Sequence, residues 1–172
     1  MKKMSVRVKM GIALLAGCAA AAGCAQARAE TARAAGPLTA LEEEVVAGVN
    51  RYRQEHGLPL LHPHARIATI ARRHSEAAAR GEMPLADGQG RLRARAVSAT
   101  MPVQSWAEDV VEGRAAEAEA ASVLTARLLA TARPHVENAA FEDVGVGIAR
   151  DASGKYYLTQ LLILSRGGYE RP

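Results

Sequence analysis

Residues 156–164 constrain the fold most, because this segment is apolar on both of the faces that a β-strand would present. Successive side chains of a strand point to opposite faces, so such a strand has to be covered on both sides. Upstream, Val144, Val146 and Ile148 alternate with small residues, and residues 151–154 supply turn formers. We therefore predict an α+β fold, an α-β-α sandwich with a small antiparallel sheet covered by helices on both faces.

A first amphipathic helix is predicted from residue 38 to the neighbourhood of Gly57, with apolar side chains three or four positions apart along one stripe. Thr39 and Glu42 fit a capping box at its start, in which each side chain accepts a free backbone N–H. This helix would cover one face of the sheet.

Two further helices follow from the same periodicity. One spans residues 63–81, with Pro63 suited to its first turn and His74 on its apolar stripe. The other spans roughly residues 115–133 and is expected to stop at Pro134. Together the three helices provide enough apolar surface to cover both faces of a small sheet.

The stretch between the second and third helices has no clear period. Residues 82–100 are rich in Gly and Arg, and we expect a loop that contains at most a short irregular helix. Arg91, Arg93 and Arg95 are spaced by two and are expected to be solvated. Residues 101–111, which contain the only Trp, are expected to form a short strand.

The beginning of the chain predicts export. Four positive charges within the first nine residues precede an uncharged apolar run at 10–23, the pattern of a signal peptide. The run is too short for a resident transmembrane helix. Leu15-Ala16-Gly17-Cys18 resembles a bacterial lipobox, so Cys18 is the expected lipid attachment site, with Cys24 as the alternative. Ala27-Arg28-Ala29 would instead suit ordinary signal peptidase.

These features divide the chain into four parts. We predict a lipoprotein signal peptide at 1–17 (alternative cleavage near 23 or 29), a flexible tether at 18–36, one folded domain at 37–166 and a tail at 167–172. Both cysteines lie in the leader, so the folded domain has neither a disulfide nor a Cys ligand for a metal.

The charge distribution argues against nucleic acid as a partner. The sequence has 22 Lys and Arg, four of them in the first nine residues, and 18 Asp and Glu. The remainder therefore carries 18 charges of each sign, and a neutral domain has no overall attraction for phosphates. The expected partner is the membrane, reached through the lipid anchor.

Six short motifs occur in an order and spacing that resemble the CAP superfamily, the cysteine-rich secretory, antigen 5 and pathogenesis-related 1 proteins, in its bacterial SCP-like branch. They are Val49-Asn50-Arg51-Tyr52-Arg53, Ala71-Arg72-Arg73-His74-Ser75, Trp106-Ala107-Glu108-Asp109, Pro134-His135-Val136-Glu137-Asn138, Val144-Gly145-Val146-Gly147 and Tyr157-Leu158-Thr159-Gln160. The resemblance extends from residue 38 to about 165. It implies an α-β-α sandwich, in agreement with the periodicities.

The resemblance also implies a cleft lined by two His and one or two Glu, where some members bind a divalent metal. Glu108 matches one cleft Glu and His135 one cleft His. The second cleft His is replaced by Met83-Pro84-Leu85, and the second Glu has no clear match. The polar site is therefore expected to be incomplete, with no metal bound.

Glu108, His135 and His74 remain the cleft candidates. Glu108 and His135 form either an acid–base or metal-ligand pair or a buried polar pair that ties the sheet to the third helix. His74 is expected to be a core histidine bonded to a backbone carbonyl. A catalytic pair of His74 and Ser75 is not expected, because adjacent side chains on a helix point about 100° apart.

Two functions are consistent with these residues. The first is a non-catalytic module of the cell envelope that binds a lipid, a peptidoglycan fragment or a protein. The second is a metal-assisted hydrolase that uses Glu108 and His135. Two ligands are fewer than the three that a catalytic zinc commonly has, which favours the binding module.

Overall fold

The computed structural model describes residues 39–167. Five helices and four strands follow one another along this part of the chain. The helices are α1 (Ala40–Glu55), α2 (Ala65–Ala79), α3 (Gly90–Ser98), α4 (Ala120–Thr131) and the short α5 (Arg133–Val136), with a single 3-10 turn at Glu117–Glu119. The strands are β1 (His62–Pro63), β2 (Val103–Arg114), β3 (Asp143–Arg150) and β4 (Lys155–Ser165).

The four strands form one sheet in the order β1-β3-β4-β2. β4 is central and pairs antiparallel with β3 and β2, whereas the two-residue β1 pairs parallel with β3. Helices cover both faces of the sheet, as the apolar character of residues 156–164 predicts. The predicted α-β-α sandwich is confirmed, with one short parallel pairing at its edge.

The two faces of the sheet pack against different helices. Leu158 and Leu162 of β4 belong to a core formed with α1 and α4, which we call the α1–α4 face. Leu161 and Ile163 pack with residues of α2 and α3 on the opposite side, the α2–α3 face. The alternation along β4 therefore divides the domain into two layers with separate cores.

Helix α2 approaches β3 unusually closely. A β-carbon at Gly147 would lie 1.9 Å from the backbone nitrogen of Arg72, and one at Gly145 would lie 2.3 Å from that of Ala68. The two glycines of this strand therefore allow backbone-to-backbone packing that no side chain permits.

The start of α1 agrees with the sequence analysis. Thr39 accepts a hydrogen bond from the Glu42 backbone N–H, and the Glu42 carboxylate accepts one from the Thr39 N–H. Glu42 is fully buried and also accepts hydrogen bonds from Arg72 of α2 and from the backbone N–H of Ile148 in β3. One carboxylate thus joins α1, α2 and β3.

The second helix begins later than predicted, and Pro63 lies in β1 rather than in its first turn. The backbone N–H groups of His62 and His64 donate to Glu142 and Val144, on either side of the proline. A backbone N–H at position 63 would point away from β3. Proline, which has no N–H, therefore fits this position without the loss of a hydrogen bond.

The third helix is also shorter than predicted, because β2 extends to Arg114, which pairs with Lys155. The predicted third helix corresponds to α4, which begins after the 3-10 turn. Pro134, which was expected to end this helix, lies inside the short α5 instead. The expected short strand at 101–111 becomes a strand of twelve residues.

Among residues 39–167, no helix is long and apolar enough to cross a membrane.

Candidate functional site

A cluster of charged side chains lies on the α2–α3 face, and its centre is Arg93 of α3. Arg93 Nη1 and Nη2 donate to the Asp87 carboxylate at 2.9 and 2.7 Å, and Nη2 also donates to Glu108 Oε2 at 2.6 Å. These three side chains are almost entirely buried. Arg93 was expected to be solvated; this is wrong, because α3 turns it toward β2 while Arg91 and Arg95 face outward.

His74 joins this cluster from α2. Its Nε2 lies 3.6 Å from Asp87 Oδ2, and its Nδ1 lies 2.9 Å from Thr159 Oγ1 on β4. The histidine is buried, as predicted, but its partner is a side-chain hydroxyl and not the expected backbone carbonyl.

The direction of the hydrogen bonds fixes which nitrogen of His74 carries the proton. Ser75 Oγ donates its one proton to the carbonyl of Gly147. It can therefore only accept a hydrogen bond from Thr159 Oγ1, which lies 2.9 Å away. The Thr159 hydroxyl donates to Ser75, so it accepts from His74 Nδ1–H. Neutral His74 then presents a bare Nε2 to Asp87, and this nitrogen has no hydrogen-bond partner.

The pKa values of Asp87 and His74 are both lowered in this cluster, but by different causes. The hydrogen bonds from Arg93 hold the pKa of Asp87 at about 2 despite burial. Burial lowers the pKa of His74, and Arg93 lowers it further, while Asp87 and Glu108 oppose the shift. The cluster therefore has an ionised Asp87 beside a histidine that resists protonation.

A second polar pair lies on the α1–α4 face. His135 Nδ1 lies 2.6 Å from Asp109 Oδ1, and Gln160 Nε2 donates to Asp109 Oδ2 at 3.2 Å. Asp109 is 8% exposed, whereas the side chain of His135 is 49% exposed. Burial raises the pKa of Asp109, and the hydrogen bond from His135 opposes this shift. The carboxylate orients the imidazole so that Nε2 faces solvent.

The structure does not bring Glu108 and His135 together. Glu108 and Asp109 are consecutive residues of β2, so their side chains lie on opposite faces of the sheet. Glu108 binds Arg93 on one face, and His135 binds Asp109 on the other. The buried pair of Glu108 and His135 expected from the sequence is therefore not formed; the half-exposed His135 pairs with Asp109 instead.

The residues present do not fit the divalent metal that the family resemblance implies. The guanidinium of Arg93 lies against Glu108, where it already balances the carboxylate with a positive charge. Within residues 39–167 there is also no group of three or more His, Asp or Glu side chains with the geometry to hold a metal ion.

An open groove of about 500 Å³ lies beside the charged cluster on the α2–α3 face. Its walls are the segment 83–86, the end of α2, and the strands β2 and β4. The lining residues are Ala78, Met83, Pro84, Leu85, Ala86, Val110, Val111, Glu112 and Tyr157. Met83-Pro84-Leu85, the replacement for the family's cleft histidine motif, therefore contributes an apolar wall.

One end of the groove is polar. Glu112 forms an ion pair with Lys155 at 2.7 Å, and the Lys155 ammonium lies 5.0 Å from the centre of the Tyr157 ring. An elongated ligand in this groove would meet apolar side chains along its length and a charged pair at one end.

Sequence analysis missed Asp87, Arg93, Asp109 and Thr159 as site residues. For Asp109 the sequence did contain a signal. Adjacent side chains on a strand point to opposite faces, so Glu108 and Asp109 could not both lie in the same site. For Arg93 the signal was weaker: small residues at 90, 94 and 97 mark the buried stripe of a short helix.

The fold and these sites define a class: a single α-β-α sandwich domain with a cleft on one face and a His–Asp pair on the other. A sequence model of the cysteine-rich secretory protein (CAP) family matches residues 46–162. The chain belongs to this family. No curated protein sequence matches it significantly.

Solved structures agree in fold. An outer surface protein of Borrelia burgdorferi superposes with a TM-score of 0.59 at 12% identity, covering 76% of this chain and 99% of that one. An extracellular SCP-domain protein of Bacillus anthracis gives 0.54 at 22% identity, covering 74% of this chain and 44% of that one. A cysteine-rich secretory protein of Staphylococcus aureus gives 0.54 at 17% identity, covering 75% and 40%. This chain thus spans less than half of the last two proteins.

Proposed function

We propose that this protein is a non-catalytic module of the cell envelope, held on the extracytoplasmic side by a lipid on Cys18, that binds an amphiphilic ligand such as a lipid. The observation that carries the proposal is the apolar groove on the α2–α3 face. Its volume of about 500 Å³ lies in the range of small-molecule sites, and its lining is mostly apolar, as such sites are.

The charged end of the groove supports a ligand with a polar head. Glu112 and Lys155 would meet the head group, and Met83, Leu85 and Val110 would contact the apolar tail. Met83 is 37% exposed although it is a large apolar side chain, so a bound tail would remove apolar surface from water.

The hydrolase alternative has weaker support. It requires Glu108 and His135 to act on one ion or one substrate, and the sheet separates them. The Asp109–His135 pair has the orientation of a general base, but among residues 39–167 it belongs to no group of three or more His, Asp or Glu side chains that could hold a metal ion.

Binding of parinaric acid, a fluorescent fatty acid, tests the ligand class. We expect saturable binding with one probe per chain, and an affinity about tenfold lower for Met83→Gln, because an amide would enter the apolar wall. Leu60→Gln is the matched control, since Leu60 is 50% exposed and does not line the groove. Absence of binding, or equal loss in both variants, would contradict the proposal.

The anchor is tested by substitution of the two cysteines. Cys18→Ser should abolish labelling by a fatty-acid probe and release the protein from membranes, whereas Cys24→Ser should do neither. If only Cys24→Ser has this effect, the second motif is the attachment site. If labelling persists in both variants or is absent from the wild type, the lipid anchor is wrong.

A further inference from the structure

Helix α3 presents an exposed patch that the groove and the charged cluster do not use. Arg91, Leu92 and Arg95 face solvent on adjacent turns, opposite the buried side of the helix. Leu92 is 57% exposed, the largest exposed fraction among the large apolar side chains of residues 39–167. Trp106, 37% exposed, lies beside the start of α3, 3.0 Å from where a β-carbon of Gly90 would be.

The positive charges of this patch are not compensated within the domain. Arg91 and Arg95 form no ion pair with any residue between 39 and 167, whereas Arg93 between them is held by two carboxylates. The helix thus directs one arginine inward to satisfied partners and two outward to solvent. The domain is neutral as a whole, so this excess positive charge is local.

The composition of the patch matches one kind of partner. Two free guanidinium groups attract lipid phosphates, and an exposed leucine beside them inserts at the boundary between head groups and acyl chains. A purely ionic protein interface would not require an exposed leucine between the two arginines, because the apolar side chain gains nothing from acidic side chains.

We infer that Arg91, Leu92 and Arg95 form a docking surface for an anionic lipid bilayer. This inference rests on the proposed lipid anchor, which would keep the domain within reach of the bilayer surface. The tether would set the distance, and the patch would set the orientation, with α3 against the lipid head groups.

The only tryptophan of the chain is Trp106, whose ring lies beside the first residue of α3, so intrinsic fluorescence reports on the approach of this helix to the bilayer. The lipidated protein is incorporated into vesicles of 30% phosphatidylglycerol in phosphatidylcholine, and into vesicles of phosphatidylcholine alone, each with brominated acyl chains as quenchers. We expect a blue-shifted, quenched Trp106 emission in the anionic vesicles only. The effect should weaken in 0.5 M NaCl, because salt screens the arginines.

Two variants and one control make the test specific. The double variant Arg91→Gln with Arg95→Gln should reduce the quenched fraction at least about fivefold. Leu92→Gln should reduce the depth of insertion and leave the salt dependence of the quenching unchanged. Arg51→Gln with Arg127→Gln, at exposed positions of α1 and α4, removes the same charge from the other layer and should change nothing.

The outcomes separate the anchor from the patch. Protein that floats with the vesicles but shows no change in Trp106 emission keeps its anchor and overturns the docking surface. Protein that does not float lacks the anchor, and titration of the same sample with anionic vesicles then tests the patch alone by its emission shift. An emission shift caused by poly-glutamate but not by vesicles would overturn the proposal of a lipid bilayer as the partner and would indicate an acidic protein instead.

Discussion

The side chains of Glu108 and Asp109 leave β2 on opposite sides of the sheet, Glu108 toward Arg93 and Asp109 toward His135. Each carboxylate links the sheet to a different layer of helices. The charged cluster around Arg93 and the exposed histidine are therefore two separate places on this domain, and a substitution in one leaves the hydrogen bonds of the other intact.

The first prediction follows from this separation. Glu108→Gln and His135→Ala share no hydrogen-bond partner, so their effects on the free energy of unfolding should add within about 0.5 kcal/mol in the double variant. Urea unfolding of the two single variants and the double variant measures this. A coupling of 1 kcal/mol or more would mean that the two side chains act in one site after all.

A second prediction concerns Arg93, the cation between two carboxylates. Arg93→Met should destabilise the domain by about 3 kcal/mol at pH 7, because Asp87 and Glu108 would remain buried without a counter-charge. Arg80→Met breaks the exposed pair with Glu82 and should cause no measurable loss.

The same variant has a defined pH dependence. The pKa of Asp87 is about 2 in the folded protein and near 3.8 when unfolded, so ionised Asp87 contributes stability above pH 4 that is lost as the pH falls toward 2. The gap between wild type and Arg93→Met should therefore narrow over that interval in acid titrations followed by circular dichroism. A constant gap would show that Asp87 does not depend on Arg93.

His74 yields the third prediction. Burial lowers its pKa below 6.5, so the unfolded chain binds a proton more readily than the folded one as the pH falls. Stability is therefore complete above pH 6.5 and decreases below it. Urea midpoints between pH 7.5 and 5.5 should fall less in His74→Gln than in wild type, whereas His56→Gln, at an exposed position, should behave as wild type. Equal pH dependence in all three proteins would refute the assignment.

The fourth prediction concerns the contact between α2 and β3. Gly147→Ala places a methyl group 1.9 Å from the backbone of Arg72, which cannot move without the helix, so a loss of about 3 kcal/mol is expected. Gly167→Ala adds the same methyl group where no atom lies within 4 Å, and should stay within about 0.5 kcal/mol. Thermal unfolding of the two variants makes the comparison, and equal melting temperatures would contradict the close packing.

Local patterns were sufficient for the elements whose residues interact with near neighbours in the sequence. The capping box of Thr39 and Glu42, the stripe of α1 and the two-sided apolar strand β4 all follow from spacing alone. The close approach of α2 to the glycines of β3 also agrees with what glycines within a strand generally indicate.

The candidate site could be predicted only in part, because its partners come from distant segments. Which carboxylate meets His135 depends on a one-residue alternation along β2, and sequence similarity alone pointed to Glu108 rather than Asp109. Arg93 was assigned to solvent because a spacing of two between arginines in a Gly-flanked segment is typical of a solvated loop, and its carboxylate partners lie six and fifteen residues away.

The two glycines of β3 also determine which parts of the domain can move. At Gly145 and Gly147 the backbone of α2 lies against β3 with no side chain between them, and Ser75 is held to the strand by its bond to Gly147. Helix and sheet therefore move as one body. Any widening of the groove is left to the chain beyond Gly81, where a positive φ of 73° begins the segment that carries Met83. The groove thus has one fixed wall and one adjustable wall, so ligands of different girth would be accommodated on the Met83 side alone.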